Sequence, residues 1–164
     1  MVFKLNAAGS ALTFSTYYGG TALGATGITT GNAIAVDGSN NVYAAGQASR
    51  GSGATGLGVL VGGLLGGGPD DAFVLKLNSA GAQQYNVAFG GDGTDGINGI
   101  AVDSAGNAYI VGYTESSNLD TTNAADSSRG GTSDGFLAKL GTTGATILYS
   151  TYIGSSQTDT ALAV

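Results

Sequence analysis

The apolar residues of this chain fall into short runs rich in β-branched, aromatic and small side chains, and in some runs these alternate with polar ones, as in Leu12-Thr13-Phe14-Ser15. Such runs occupy residues 2–5, 42–48, 73–77 and 108–114, and Gly, Asn, Asp or Ser lies beside each of them. Alternation with a period of two is typical of β-strands, and turn-forming residues end such strands. The helical period of about 3.6 residues is absent. The pattern therefore predicts an all-β protein made of short strands and tight turns.

Three kinds of run recur along the chain, which indicates a repeat protein. Runs with a central lysine lie at 2–9, 73–81 and 136–144. Runs rich in aromatic residues follow them at 12–19, 85–90 and 147–154. A third kind begins Ile-Ala-Val-Asp, spans 34–46 and returns without a gap at 100–112. Because the third kind contains two strand-like runs separated by a turn, each unit holds four such runs, joined mostly by short turns.

Four antiparallel strands per repeat are typical of a β-propeller blade. The predicted fold is an incomplete propeller of about two and a half blades in a single repeat domain that spans residues 1–164. Its parts are an outer hairpin, a second blade, a third blade and the start of a further blade, at 2–19, 34–90, 100–154 and 161–164.

The order of the runs leaves incomplete blades, because it begins with a third strand and ends with a first strand. Closed propellers usually have about four to eight blades. Three interpretations stay open: a piece of a longer propeller chain, several copies that close a ring, or copies that stack head to tail into a filament. The end at Val164, where the repeat would next supply its Asp, favours the first of these. In an isolated copy, unpaired strand edges and apolar faces would promote association.

Composition and charge narrow the classes of partner. Charged residues make up 10% of the chain and hydrophobic residues 42%, the reverse of a disordered sequence. The 31 glycines lack the three-residue period of collagen. The net charge of −6 disfavours phosphate-rich partners, and no apolar run approaches the ~20 residues of a membrane-spanning helix. We therefore expect no nucleic-acid partner and no membrane insertion.

The chain has neither histidine nor cysteine, which excludes disulfides, thiolate chemistry and histidine-based catalysis and argues against a zinc site. Asp95 and Asp159 lie in repeated Thr-Asp pairs, and two carboxylates could in principle hydrolyse a glycosidic bond. Equivalent positions in successive blades, however, would hold these carboxylates apart in similar surroundings. We expect both to make hydrogen bonds in turns or between blades, and we expect no enzyme activity and no cofactor.

Two further repeated features permit a binding interpretation beside a structural one. The turns at 37–41 and 103–107 each offer one carboxylate and one amide, which is few for calcium and suits a hairpin turn. Lys4, Lys76 and Lys139 could ring an anionic ligand, or could cover apolar surface with their stems and reach a blade edge. We favour the structural interpretation for both, and we expect no metal site.

The best-preserved repeat resembles a known family. It reads Ile-Ala-Val-Asp-Ser-Ala-Gly-Asn-Ala-Tyr-Ile-Val-Gly-Tyr-Thr, then after a loop Asp-Gly-Phe-Leu-Ala-Lys-Leu, and finally Leu-Tyr-Ser-Thr-Tyr-Ile-Gly. This pattern resembles the SBBP-type β-propeller repeat of bacteria. The resemblance implies an all-β propeller in large secreted or cell-surface proteins, and it implies no defined catalytic residues.

Two sets of residues are candidates for contacts between blades or copies. Phe14, Tyr85 and Tyr149 hold equivalent positions in the fourth strands, and we expect them in the core between neighbouring blades. The glycine-rich loop at 56–68 either folds over its own blade or forms an assembly interface. The apolar residues of that predicted interface are Leu57, Val59, Leu60, Val61, Leu64 and Leu65.

These features predict a structural or interaction module outside the cell. Its expected partners are further blades of a longer chain or other copies of itself, in a ring or a filament. The alternative is a propeller module that binds glycans or cell-surface ligands through loops at one face.

Overall fold

The computed structural model describes residues 1–18, 29–49, 59–60 and 68–164. The described residues form eleven β-strands and no helix. In chain order the strands are β1 (Val2–Leu5), β2 (Leu12–Thr16), β3 (Thr29–Val36), β4 (Val42–Ser49), β5 (Val59–Leu60), β6 (Asp70–Leu77), β7 (Gln83–Phe89), β8 (Asp95–Val102), β9 (Ala108–Thr114), β10 (Asp134–Leu140) and β11 (Ile147–Ile153).

The strands form one hairpin and two sheets. β1 and β2 make the antiparallel outer hairpin. The central sheet has the order β3-β4-β6-β7-β5, and the end sheet has the order β8-β9-β10-β11. Neighbours in the end sheet, and the first four strands of the central sheet, are antiparallel. The predicted all-β fold of four-stranded antiparallel blades is confirmed, and the sheets do not close into a ring.

The central sheet gains a strand that the repeat does not contain. β5 comes from the glycine-rich loop and pairs with the outer strand β7 in parallel, with Val59 opposite Val87 and Leu60 opposite Ala88. The backbone of this part of the loop therefore extends its own blade at the outer edge.

Apolar residues lie on both faces of the central sheet, because its strands are buried on both sides. One face carries Phe73, Leu75 and Leu77, against which Val2 and Phe14 of the hairpin pack. The opposite face belongs to the large core cluster shared with the end sheet. Members of that cluster from the central sheet include Val74, Val87 and Phe89, and members from the end sheet include Ile110, Phe136 and Leu140. The three pieces are thus stacked as successive blades.

The turn between the first and second strands is built the same way in both sheets. The Asp37 carboxylate accepts hydrogen bonds from the backbone of Ser39 and Asn41, and Asp103 does the same for Ala105 and Asn107. The fourth turn residue has a positive φ in each case, 63° at Asn40 and 88° at Gly106. Asn and Gly are the residues that adopt this conformation most readily.

Glycine is required where the second strand crosses the irregular part of the first. The register of β3 shifts between Gly31 and Ala33, and that of β8 shifts between Ile97 and Gly99. A Cβ at Gly46 would overlap the carbonyl oxygen of Thr30, and one at Gly112 would overlap that of Gly96. These are backbone atoms within a sheet, so they cannot move aside cheaply.

We predict that Gly112→Ala destabilises the protein by about 1–3 kcal/mol, as overpacking of a dense interior usually does. Urea unfolding followed by tyrosine fluorescence measures this change. Gly38→Ala is the matched control, because a Cβ at Gly38 meets no atom within 4 Å. Equal unfolding midpoints for the two variants would contradict the close approach at Gly112.

Candidate assembly interface

The predicted interface in the glycine-rich loop is only partly covered by the structure. Leu57, Val61, Leu64 and Leu65 lie outside the described residues. Val59 and Leu60 form β5, whose backbone pairs with β7. The loop's role as an interface between copies stays a prediction.

The fourth-strand aromatic residues contact the next blade at a glycine. A Cβ at Gly81 would lie 2.6 Å from Cγ of Phe14, and one at Gly144 would lie 2.8 Å from Cδ2 of Tyr85. Both glycines have a positive φ and belong to the turn between the third and fourth strands of the next blade. The aromatic ring of one blade therefore packs against a turn of the following blade at a residue that has no side chain.

Tyr149 holds the same position in the end sheet. It lies opposite Lys139 across the β10–β11 pair, as Phe14 lies opposite Lys4 and Tyr85 opposite Lys76. Tyr149 is half-buried, whereas Tyr85 is buried.

A second ring contact links the hairpin to the central sheet, and another links the central sheet to the end sheet. The rings of Tyr18 and Phe73 have centroids 4.7 Å apart, and those of Phe89 and Phe136 are 5.1 Å apart. Aromatic pairs at these separations stabilise a contact beyond the area that they bury. The Tyr18 hydroxyl also donates to Oδ1 of Asn86 at 2.6 Å, and burial raises the pKa of Tyr18 to about 12.

An asparagine side chain links the first strand of a blade to the next blade by a hydrogen bond. Asn32 Nδ2 donates to the carbonyl oxygen of Ile97 in the next sheet at 3.0 Å. Asn98 Nδ2 donates to the carbonyl oxygen of Ala161, also at 3.0 Å. Asn32 and Asn98 lie at the two register shifts of the first strands. The C-terminal segment 155–164 thus meets the end sheet as the end sheet meets the central one.

The three repeated lysines lie on successive blades, and their ammonium groups contact turn residues or aromatic rings. Lys4 Nζ donates to the carbonyl oxygen of Asn40 in the next blade at 3.0 Å. Lys76 Nζ lies 4.8 Å from the ring centroid of Tyr43. Lys139 Nζ lies 3.2 Å from Asp103 Oδ2 and donates to the Tyr109 hydroxyl at 2.6 Å. Each ammonium group thus has a partner among the described residues, in keeping with the structural interpretation.

Asp95 is enclosed by donors at the start of the end sheet. Its carboxylate accepts hydrogen bonds from the hydroxyls of Thr114 and Ser116 and from the backbone N–H of Gly91. Burial raises the pKa of Asp95 above its usual value, although these hydrogen bonds act in the opposite direction. The side chain of Asp95 is thus fully buried, and its carboxylate closes this hydrogen-bonded turn.

Asp159 repeats this arrangement at the surface. Its Oδ2 accepts from the backbone N–H of Ser155 at 2.7 Å, as Asp95 accepts from Gly91. The two aspartates hold equivalent positions in successive blades, and Asp95 is buried whereas Asp159 is half-buried. Their described hydrogen bonds are to different partners, so nothing in the described structure pairs them at one site.

The carboxylates in the turns between the first and second strands are also engaged in hydrogen bonds. Asp103 accepts from the side chain and backbone of Asn107, and these hydrogen bonds lower the pKa of Asp103 to about 2. Among the described residues, no group of three or more Asp and Glu residues is arranged to hold a metal ion. The described residues also contain no helix long and apolar enough to cross a membrane.

Several repeated polar residues were not singled out from the sequence, although the repeat carried a signal for them. Asp71 and Asp134 are buried beside Gly90 and Gly154, and each lies five residues before a repeated lysine. Asn32 and Asn98 are aligned by the same offset as the Ile-Ala-Val-Asp runs. Treating each repeated polar position as a contact between blades would have found both pairs.

Residues 83–120 match the family model of the SBBP beta-propeller repeat. This segment comprises β7, β8, β9 and the loop that follows, so it spans the junction of the central and end sheets. No curated protein matches the chain. The resemblance seen in the sequence is thereby confirmed for residues 83–120.

We predict that Tyr85→Ala lowers the free energy of unfolding by about 3 kcal/mol, because the change leaves a cavity over Gly144. Chemical unfolding measures the loss. Tyr17→Ala is the matched control, since the side chain of Tyr17 is exposed, and it should change the stability by no more than about 0.5 kcal/mol. Similar losses for the two variants would show that Tyr85 does not lie in the core.

We predict opposite pKa shifts for two aspartates of the end sheet. Carboxyl-detected NMR titration should place the pKa of Asp103 at about 2 and that of Asp95 above the ordinary aspartate value. Stability contributed by Asp103 is present above its unfolded pKa and is lost as the pH falls toward about 2. Ionisation of Asp95 reduces stability as the pH rises from its unfolded pKa through its higher folded pKa. Shifts of the same sign at both residues would refute this assignment.

Proposed function

We propose that this protein is a non-catalytic structural and interaction module outside the cell, whose β-propeller blades associate face to face with further blades or copies of itself. A β-propeller repeat is in itself a scaffold of stacked sheets. The finer role rests on the surfaces that the stack leaves uncovered.

The observation that carries the proposal is the uncovered apolar face of the outer hairpin. Met1, Phe3 and Leu5 are 68%, 52% and 45% exposed. The lysine alignment gives them equivalents in each sheet. Those equivalents, Phe73, Leu75 and Leu77 in the central sheet and Phe136, Ala138 and Leu140 in the end sheet, are all buried under a neighbouring blade. The same positions are therefore core wherever a preceding blade is present.

Burial of this face is favourable by roughly 25 cal/mol for each Å² of apolar surface removed from water. Large exposed apolar side chains grouped on one face are typical of contact surfaces. The hairpin also presents strand β1 with one edge unpaired among the described strands, and such edges add further strands readily. Both features favour association of the module with material of its own kind.

The aspartates support a role without catalysis. Asp95 is enclosed by three donors, and Asp37 and Asp103 hold their own turns together. Catalytic carboxylate pairs need two groups that face one substrate. We place the module outside the cell because its repeat resembles those of secreted and cell-surface proteins.

Sedimentation of the purified chain tests the proposal. We expect the average mass to rise with concentration across the micromolar range, because the apolar faces become buried between copies. Phe3→Asp should weaken this association by about tenfold or more, since a charge would have to be buried in the contact.

Gln84→Asp is the matched control, because Gln84 is exposed on an outer strand, away from the stacked faces. It adds the same charge and should leave the association unchanged. A folded wild-type chain that stays monomeric at all these concentrations would overturn the proposal of self-association.

A further inference from the structure

We propose that a second copy of this chain docks head to tail, with Tyr149 of one copy seated on the Gly9 turn of the next. This inference rests on the proposed function and specifies the register of its contact. The contact between successive blades, here called a joint, has a donor half with a fourth-strand side chain and an acceptor half with the positive-φ glycine of the next turn. The partner is a second copy because the chain carries both halves, each repeated three times. Two of these joints are formed within the chain, and the third pair of halves is left apart.

The first joint is between the hairpin and the central sheet. The hairpin contributes Val2, Phe14 and Tyr18. These residues pack on Phe73, Leu75 and Leu77 of the central sheet, and the ring of Phe14 covers Gly81. Among the described residues, the hairpin and Tyr18, which follows it, form this side of the joint.

The second joint repeats the first at equivalent positions. In place of Val2, Phe14 and Tyr18 stand Val74, Tyr85 and Phe89 of the central sheet. The ring of Phe89 packs on Phe136, and the ring of Tyr85 covers Gly144. Two copies of one contact at matched sequence positions define a rule: the fourth-strand aromatic ring sits on the positive-φ glycine of the next blade.

The donor half of the third joint lies on the outer face of the end sheet. Leu137, Tyr149 and Ile153 occupy the positions of Val74, Tyr85 and Phe89. Leu137 and Tyr149 are half-buried, and Ile153 is 47% exposed. Phe89, the equivalent of Ile153, is buried where its receiving blade is present.

The acceptor half lies on the outer hairpin. Gly9 has a φ of +69°, close to the values at Gly81 and Gly144, and its turn has the same place between third and fourth strands. A Cβ at Gly9 would meet no atom within 4 Å. Beside it, Met1, Phe3 and Leu5 form the exposed counterpart of the Phe73, Leu75 and Leu77 surface.

The C-terminal segment leaves room for this second hairpin. Asn98 holds Ala161 at the inner side of the end sheet, where a first strand belongs. Among the described residues, the outer positions around Tyr149 have no covering turn comparable to those at Gly81 and Gly144. The incoming hairpin would lie there as the third and fourth strands of a shared blade. A head-to-tail contact of this kind repeats from copy to copy and builds a ring or a filament.

Cysteine cross-linking tests the register, and the natural chain has no cysteine to interfere. Gly9→Cys and Tyr149→Cys chains are mixed and oxidised, and we expect a disulfide between the two different variants. Neither variant alone should give a comparable dimer, because a head-to-tail contact does not bring like positions together. The internal control is Phe14→Cys with Gly81→Cys in one chain, which should close an intramolecular disulfide because these positions are in contact.

A second variant tests the same contact without a cross-link. Asn tolerates positive φ, so Gly9→Asn should fold normally while its side chain obstructs the incoming ring. We expect its association to weaken about tenfold or more relative to the wild type, with no change for the control Gly38→Asn.

The outcomes separate the two proposals. Wild-type association together with the mixed disulfide and the effect of Gly9→Asn supports the register. If the wild type associates but the mixed disulfide does not form, or the Gly9→Asn chain associates as the wild type does, the Tyr149–Gly9 joint is wrong and the proposed function stands. If the folded wild type does not associate at all, both proposals fall.

Discussion

Burial of apolar side chains on both faces of each sheet is the constraint on which the rest of this structure depends. The central sheet shows it most clearly, since Phe73 and Leu75 face the hairpin while Val74 and Val87 face the end sheet. A sheet with two apolar faces is stable only between two neighbours, because each uncovered face leaves apolar area in water. The repeat therefore encodes a stack, and a single blade would be an incomplete unit.

The polar groups of the chain serve this stack in a consistent way. The first turns are closed by Asp37 and Asp103, and Lys4 and Lys139 each reach such a turn, one in the next blade and one in their own. Buried carboxylates are costly unless several donors satisfy them, and Asp95 has three. Charged residues make up only 10% of the chain, and those named here are engaged in turns and joints. Function is therefore expected at the exposed faces, which repeat the chemistry of the buried ones.

The core of this protein and its exposed apolar face occupy equivalent positions in different copies of the repeat. Phe73 and Phe136 are core because a blade precedes theirs, and Met1 is surface although it holds the same position. What distinguishes an assembly surface from a core is then only the presence of a neighbour. This equivalence explains why an association of copies would need no specialised binding site.

The amino-acid sequence by itself determined the strand content, the four-strand unit and the equivalence of Phe14, Tyr85 and Tyr149, because alternation and internal repetition are local properties of the chain. Only the tertiary structure decided which apolar residues face which neighbour, where Gly81 and Gly144 receive a ring, and that Val59 and Leu60 add a parallel strand to β7. It also decided that Asp95 is enclosed by donors far apart in sequence, Gly91 and Ser116. These features depend on which segments of the chain approach one another in space, which a period along one chain does not specify.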